Sequence, residues 1–376
     1  MKVETEFMPQ LNHKDLKIAL FCGGTGTRMW PASRRDKPKQ FQPLVGHESM
    51  FQQAVARIKK GFPLKDVFVI TGRQYVGHVV QQEPDLPLEN IIIEPEMRDT
   101  TAAIGLAAAV LDKKFGNPIV ASLWAADHLV RNDVEFVKAL KSAYEFARES
   151  GKMVSIDVKP TYPNVHVGYI QVGKMIKKLD GLAIFEYVKQ IEKPDLLMAK
   201  KLTGSWEYLW HAGYKVWHAK NMLSLYQKFS PKIYLGLKKI QNVWGKDNQD
   251  EVVRKVYPQF EKISVDFAIF EKIDQSQMVV MSADLGWSDI GAWNVLKEEL
   301  SENHDDNVIQ GEVFDIGSRD CLIYATCENK VVATIGLEGL IVVDTPDGLL
   351  VSTKDRISEI KKTIEKLKEA KKEKYL

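Results

Sequence analysis

The sequence predicts an α/β fold, in which a large domain with a mostly parallel central sheet is followed by a small β unit and a terminal helix. From Lys17 to about residue 126, short apolar runs alternate with helical patterns, as in sheets that helices cover on both faces. After Asn303 the runs become short and β-rich, with Gly, Asp and Asn turns between them. The last segment places four apolar side chains on one helical stripe, Ile357, Ile360, Ile364 and Leu367.

The elements of the large domain follow from hydrophobic periodicity. Continuous apolar runs predict buried strands at 17–22, 66–71, 90–95, 118–125, 152–158, 166–172 and 183–191. Apolar residues at helical spacing predict helices at 49–60, 100–116 and 133–150. The pattern changes only near residue 303, so we predict two domains, 1–302 and 303–376.

Composition excludes several classes of protein. The 376 residues suit two domains, and 45% apolar with 27% charged residues is typical of a globular chain. Since 52 basic and 50 acidic side chains leave a net charge of +2, we expect no nucleic-acid partner, because such binding needs a clustered basic face.

A membrane location is also not expected. The longest near-apolar stretch, 102–111, is shorter than the ~18 residues that a membrane span requires. The first fifteen residues are charged and polar where a secretory signal would be apolar. The odd set of Cys22, Cys321 and Cys327 contains no CxxC pair, which favours a reducing compartment. We therefore expect a cytoplasmic protein.

A glycine-rich loop directly follows the first predicted strand. Its glycines, Gly23, Gly24 and Gly26, let backbone N–H groups approach a nucleotide, and Arg28 and Lys39 can meet phosphate oxygens on the same loop. The loop is neither GxxxxGK[ST] nor GxGxxG. By itself it indicates either a phosphate cradle or a glycine turn flanked by surface cations.

Two aspartates stand at the ends of predicted elements. Asp127 ends a buried strand, which directs its carboxylate toward the carboxyl edge of the sheet, and Asp289 lies in the turn GWSDIG. Two carboxylates together with phosphate oxygens would suit Mg²⁺. A lone aspartate at a strand end can also be a turn former or a helix N-cap.

The longer string GGTGTRMWPASRRDKPKQF closely resembles the signature of the mannose-1-phosphate guanylyltransferases, within the sugar-phosphate nucleotidyltransferase superfamily. The resemblance continues in order through EPEMRDTTAAI, WAADH, KPTYP, VGYI, IEKP, LWHAG, SVDFAIFEK and DLGWSDIGAWNVL, and the tail adds TPDGLLV. It implies a Rossmann-like nucleotidyltransferase domain, a left-handed β-helix and a homodimer. The implied reaction joins GTP and mannose 1-phosphate into GDP-mannose and pyrophosphate. From the residues alone, the tail could be a β-helix or a meander.

The resemblance also implies a role for each matching residue. The metal role for Mg²⁺ falls on Asp127 and Asp289, and the phosphate roles fall on Arg28, Lys39 and Lys193. The implied nucleotide contacts are Gly23, Gly24, Gly26, Thr27, Glu94, Arg98 and Thr100. The implied sugar contacts are Gly168, Glu192 and His211.

The sugar-facing motifs depart from the family. His211 replaces an asparagine, and a string that is usually Pro-Glu-Thr-Gly-Tyr-Gly-Tyr-Ile here places His166 two residues before Gly168. A pocket that loses a hydroxyl partner discriminates strongly, so we predict a weak or altered preference for mannose 1-phosphate. Two alternatives stay open: a nucleotidyltransferase for another sugar 1-phosphate or base, and a non-catalytic regulatory homologue. The retained charged residues argue against the second alternative.

Overall fold

The computed structural model describes residues 14–24, 26–125, 128–327 and 329–376. The strands of the large domain are β1 (Leu16–Phe21), β2 (Val67–Gly72), β3 (Ile91–Glu94), β4 (Ile119–Trp124), β5 (His128–Val130), β6 (Met153–Val158), β7 (Tyr169–Leu179), β8 (Leu182–Ile191), β9 (Tyr208–His218), β10 (Met278–Ser282) and β11 (Trp287–Asp289). Its helices are α1 (Met50–Lys59), α2 (Val76–Gln82), α3 (Asp99–Phe115), α4 (Asp133–Ser150), α5 (Leu196–Thr203), α6 (Ala219–Phe229), α7 (Pro231–Val243), α8 (Gln249–Val256), α9 (Val265–Ala268) and α10 (Trp293–Leu300).

The main sheet of the described residues has the order β3-β2-β1-β4-β9-β6-β10-β8-β7. Strand pairing makes β8 and β9 antiparallel to the other seven, so the predicted mostly parallel orientation is confirmed within a mixed sheet. All residues of β1 and β2 are buried, because helices cover both faces. The predicted helix at 100–116 is α3, which ends at Gly116 with φ 67°.

The carboxyl ends of β1, β2, β3 and β4 lie at one edge of this sheet, since their pairings are all parallel. The glycine loop follows β1, and β3 ends at Glu94. Open α/β sheets bind ligands at such an edge. Among the described residues, no helix combines the length and apolar character needed to cross a membrane.

The C-terminal unit contains β12 (Val308–Gln310), β13 (Val313–Ile316), β14 (Leu322–Ala325), β15 (Val332–Ile335), β16 (Leu340–Thr345), β17 (Gly348–Thr353) and the helix α11 (Ile360–Glu369). Successive coils pair in parallel, β12 with β14 and β14 with β16, while β13 pairs in parallel with β15. A meander would pair antiparallel, so the tail is a β-helix, closed by the β16–β17 hairpin.

The C-terminal unit shares a hydrophobic core with the large domain. In one buried cluster, Met29, Trp30 and Trp293 of the large domain pack with Tyr324 and Ile360 of the unit. The predicted stripe on the terminal helix is confirmed, because Ile360 and Ile364 are buried there. The unit thus docks on the large domain of its own chain, as its small size requires.

A buried ion cluster joins the same two parts. Lys297 of α10 is fully buried and its Nζ contacts Asp320 Oδ1, which also accepts a hydrogen bond from Lys354 Nζ at 2.6 Å. The two ammonium groups lower the pKa of Asp320 against the opposing effect of burial. The junction therefore combines apolar packing with paired charge.

Candidate active site

Two adjoining cavities open at the carboxyl edge of the main sheet. The first, of about 250 Å³, lies beside the glycine loop and Glu94. The second, of about 310 Å³, lies beside Gly168, Glu192 and the end of β11. Thr100 and Trp124 line both, so a ligand in one cavity can meet a ligand in the other.

The glycine loop forms one wall of the first cavity. Gly23 and Gly24 line it, and Gly24 adopts φ 96°, where a side chain would strain the backbone. A Cβ on Gly23 would lie 3.7 Å from Glu94 Oε2, so the bare backbone faces that carboxylate. The nucleotide contacts expected at Gly23 and Gly24 stay a prediction.

Glu94 is a buried carboxyl at the base of the first cavity. Tyr257 Oη donates a hydrogen bond of 2.5 Å to Glu94 Oε1. Burial raises the pKa of Glu94 to about 7, although the hydrogen bond from Tyr257 opposes the shift. The sequence analysis did not single out Tyr257 as a partner of Glu94, because nothing in its local sequence links it to a residue on β3.

Arg98 and Thr100 line the first cavity as expected, but each has another partner. Arg98 Nη2 donates to Glu96 Oε2 at 2.8 Å. Thr100 Oγ1 accepts a hydrogen bond from the backbone N–H of Val265 at 2.8 Å. Thr100 therefore holds α3 against the segment that leads into α9.

Lys39 lies beneath the glycine loop and is only 5% exposed. Gly26, at φ 58°, packs on it, since a Cβ there would be 2.7 Å from Lys39 Cγ. The Lys39 backbone N–H donates to Ser33 Oγ at 2.9 Å. Lys39 lines neither cavity, so it supports the loop from below. Thr27 is exposed and begins the short turn Thr27–Met29, whose last residue, Met29, is buried.

Arg28 lies at the second cavity, close to Asp289. A Cβ on Gly291 would be 2.8 Å from Arg28 Nη2 and 3.0 Å from Asp289 Oδ1. The guanidinium of Arg28 and the carboxylate of Asp289 thus both lie next to Gly291. The loop after β1 and the turn after β11 therefore contribute to one site, although they are far apart in the chain.

Gly168 and Glu192, which the resemblance implies as sugar contacts, both line the second cavity. A Cβ on Gly168 would lie 2.7 Å from Glu192 Oε2, so the absence of a side chain lets the carboxylate approach. Lys193 Nζ donates to Glu192 Oε1 at 2.8 Å and the Lys193 side chain is 63% exposed. Lys193 has φ 44°, a strained backbone for a long side chain, which is typical of functional positions.

His211 lines the second cavity, but both of its ring nitrogens are engaged. Nδ1 lies 3.1 Å from Asp157 Oδ1 and Nε2 lies 2.9 Å from Lys215 Nζ. Asp266 Oδ1 lies 3.7 Å from Nε2. Both ring nitrogens of His211 are therefore engaged by side chains of the protein itself.

Asp157, His211, Lys215 and Asp266 form a charged cluster, in which Asp157 and Lys215 are buried and His211 and Asp266 are partly exposed. Burial and Lys215 lower the pKa of His211, but the two aspartates outweigh them and the net shift is upward. Burial lowers the pKa of Lys215, although the aspartates oppose this. For Asp266, burial raises the pKa, but His211 and Lys215 outweigh it and the net shift is downward. The sequence analysis missed Asp157, Lys215 and Asp266.

Asp289 ends β11, and His128 of β5 lies directly opposite it in the antiparallel pair. Asp127, the residue before His128, lies outside the described residues. Within the described ranges, no three His, Cys, Asp or Glu side chains are grouped to hold a metal by themselves. One or two carboxylates completed by phosphate oxygens and water are a usual Mg²⁺ environment, so the donor type of Asp289 fits this cation.

Comparisons with known proteins agree with this geometry. Residues 18–305 match the nucleotidyl transferase family, and residues 311–367 match the mannose-phosphate isomerase/GMP-like β-helix domain. The mannose-1-phosphate guanylyltransferase RfbM of Salmonella typhimurium is 34% identical over 93% of this chain and 72% of its own length. A mannose-1-phosphate guanylyltransferase of Klebsiella pneumoniae is 33% identical over 95% of this chain and 74% of its own length.

The fold is similar to a crystal structure from Thermus thermophilus described as a mannose-1-phosphate geranyltransferase. Its TM-score is 0.81 at 27% identity, over 94% of this chain and 99% of that chain. The sequence relatives cover both the glycine loop and the β-helix. The chain therefore belongs to the nucleotidyl transferase family, among the mannose-1-phosphate guanylyltransferases.

Proposed function

We propose that this protein joins GTP and α-D-mannose 1-phosphate to give GDP-mannose and pyrophosphate. The observation that carries the proposal is the pair of cavities that meet at Thr100 and Trp124, one beside a glycine loop and the other beside Glu192 and Lys193. The names of the relatives support the choice of mannose 1-phosphate and of the guanine nucleotide.

The chemistry requires positioning more than proton transfer. An oxygen of the sugar phosphate attacks the α-phosphorus of GTP in line, and the bond from that phosphorus to the β-phosphate bridging oxygen breaks. The nucleophile is anionic at neutral pH, so no general base is required. Two anions at 4 Å repel by ~1 kcal/mol in water and several-fold more inside a protein, so cations must offset this repulsion.

The cations of the site have separate tasks in this reaction. Arg28 lines the second cavity and would hold phosphates that leave as pyrophosphate. Lys39 adds positive charge beneath the same loop. Lys193 would orient the attacking phosphate, while Glu192 accepts hydrogen bonds from sugar hydroxyls.

Asp289, together with Asp127, would hold Mg²⁺ in this reaction. The ion would neutralise charge on the phosphate oxygens. Arg28, beside Asp289, would donate hydrogen bonds to the same phosphate oxygens.

A substrate panel tests the proposed function. Pyrophosphate release would be measured for GTP, ATP, UTP and dTTP, each with mannose, glucose, galactose and N-acetylglucosamine 1-phosphate. We expect the highest kcat/KM for GTP with mannose 1-phosphate, with only a weak preference over the other hexose 1-phosphates because of His166 and His211. Another preferred pair would support the related-nucleotidyltransferase alternative, and nucleotide binding without release would support the regulatory one. Repeating the panel with His166→Gly and His211→Asn tests the predicted influence of these residues on sugar choice.

We infer that Glu94 recognises guanine, whose N1–H and N2–H₂ groups are adjacent donors that an ionised carboxylate accepts. Since the pKa of Glu94 is about 7, kcat/KM for GTP should fall as the pH is lowered below 7, toward about tenfold per pH unit. Glu94→Gln should weaken GTP use and flatten this profile. The exposed Glu89→Gln on the preceding turn is the control, and a profile that Glu94→Gln leaves unchanged would contradict the assignment.

We also propose a homodimer formed through the β-helix. Phe314 and Ile316 of β13 and Ile335 of β15 are 63%, 66% and 69% exposed, and Ile316 lies opposite Ile335, so they form one apolar patch. Sedimentation at micromolar concentration should show a species of twice 42.7 kDa, and Phe314→Glu with Ile316→Glu should convert it to monomer. A wild-type protein that sediments only at 42.7 kDa would refute the dimer.

A cytoplasmic location is proposed as well. Its support is that Cys22, Cys321 and Cys327 are all free thiols, which a reducing compartment maintains.

A further inference from the structure

The hairpin turn of the C-terminal unit contacts the loop that carries Arg28 and Lys39. Asp347 Oδ2, in the turn between β16 and β17, accepts a hydrogen bond of 2.5 Å from Arg34 Nη1. The next residue, Gly348, lies so close that a Cβ would be 2.9 Å from Arg34 Nη2 and 3.1 Å from Pro31 Cβ. The motif TPDGLLV thus has a structural partner within the glycine-loop signature.

Contacts from other parts of the C-terminal unit reach the same loop. Trp30 Nε1 donates to the backbone oxygen of Tyr375 at 2.7 Å. Tyr324 Oη and Gln310 Nε2 both donate to the backbone oxygen of Pro43 at 3.2 Å. The C-terminal unit therefore holds this loop at three points, Trp30, Arg34 and Pro43.

These contacts connect directly to the phosphate-binding side chains. Met29 follows Arg28 and is fully buried in the core that the two parts share. The Ser33 backbone N–H donates to the Met29 oxygen at 2.9 Å, and Ser33 Oγ accepts from the Lys39 N–H. Arg34, 7% exposed, follows Ser33. A displacement at Arg34 would therefore move the backbone on which both cations stand.

The turn after Asp289 is tied to the same support. Trp293 Nε1, at the start of α10, donates to the Trp30 backbone oxygen at 3.0 Å. Trp293 is fully buried and packs on the Tyr324 ring of β14, with 5.1 Å between the ring centroids. Both catalytic segments thus rest on the C-terminal unit.

We propose that the C-terminal unit is a positioning element of the active site, and that Asp347 with Arg34 is its main positioning pair. This inference rests on the proposed function, because it assigns the loop to the phosphates of GTP. Arg34 is buried and Asp347 is 51% exposed, so removal of Asp347 leaves a buried guanidinium without its carboxylate. Misplacement of a catalytic group by about 1 Å can cost ~100-fold in rate.

The test compares variants in the full-length protein. Asp347→Ala and Gly348→Ala disturb the contact by charge and by shape, respectively, and Asp347→Glu keeps the charge. Glu338→Ala is the matched control, because it removes the Arg319–Glu338 ion pair of 2.7 Å from the same unit, where both side chains are well exposed. Calorimetry would measure the Kd for GTP, and steady-state kinetics would measure kcat and both KM values.

We expect Asp347→Ala to lower kcat/KM for GTP by roughly 10- to 100-fold and to raise the Kd for GTP, with little change in the KM for the sugar phosphate. Gly348→Ala should act in the same direction, Asp347→Glu should restore most of the loss, and Glu338→Ala should behave as wild type. A folded Asp347→Ala protein with wild-type GTP parameters would overturn the proposal, as would equal losses for both substrates. Failure of the wild type to bind GTP would instead refute the proposed function.

Discussion

Replacing Asp289 by asparagine is expected to lower kcat by roughly 100-fold or more while the protein still folds. A metal ion contributes several kcal/mol to transition-state charge stabilisation, and the amide cannot replace the carboxylate as an anionic ligand. The substitution changes little volume at a partly exposed position, so the free energy of unfolding should change by about 1 kcal/mol or less. The same loss of activity is expected for Asp127→Asn.

The measurement is pyrophosphate release as a function of Mg²⁺ concentration. Asp284→Asn is the matched control, because Asp284 is an exposed carboxylate five residues earlier in the same segment. Near-normal turnover of Asp289→Asn at limiting Mg²⁺ would show that the metal assignment is wrong. If Asp289→Asn also lowers the melting temperature, measuring GTP binding would distinguish an unfolded protein from a folded protein that has lost its metal ligand.

Asp157→Ala is expected to produce the largest loss of stability, about 3 to 5 kcal/mol, because it breaks the charged cluster. Asp157 is fully buried, and its Oδ1 accepts from the Ala212 backbone N–H at 3.0 Å and contacts His211 Nδ1. Without it, the Ala212 N–H loses its buried acceptor and His211 loses its carboxylate partner. Lys215 also loses one of the three carboxylates, Asp157, Asp266 and Glu192, that oppose the downward shift of its pKa.

Urea denaturation would measure this free energy of unfolding. Glu149→Ala is the control, since the Lys177–Glu149 pair is exposed on both sides and such pairs contribute ~1 kcal/mol or less. If Asp157→Ala were as stable as this control, the cluster would not stabilise the fold. The sugar KM of the folded fraction would show whether the cluster also shapes the second cavity.

Much of the fold was predictable because it depends on local pattern. The continuous apolar runs of β1 and β2 and the helix α3 can be recognised from short segments, since burial on both faces selects apolar residues at every position. The glycine loop is equally local. The resemblance to the family also predicted the β-helix, because strand periodicity alone could not distinguish a β-helix from a meander.

Contacts between distant residues were decided only by the tertiary structure. Tyr257 and Glu94 are 163 residues apart, His211 and Asp157 are 54 apart, and Arg34 and Asp347 are 313 apart. At such separations, the partner of a side chain depends on the order of the strands in the sheet. His211 meets Asp157 because the antiparallel strand β9 lies between β4 and β6. The sequence by itself determined that strands such as β1 and β2, the helices α1, α3 and α4 and a glycine loop would form, because these depend on local apolar pattern and glycine content. The assembled fold decided that Lys39 lies beneath the glycine loop, that His211 is held by Asp157 and Lys215, and that the C-terminal unit contacts both this loop and the start of α10. Burial and hydrogen-bond pairing are properties of three-dimensional neighbours.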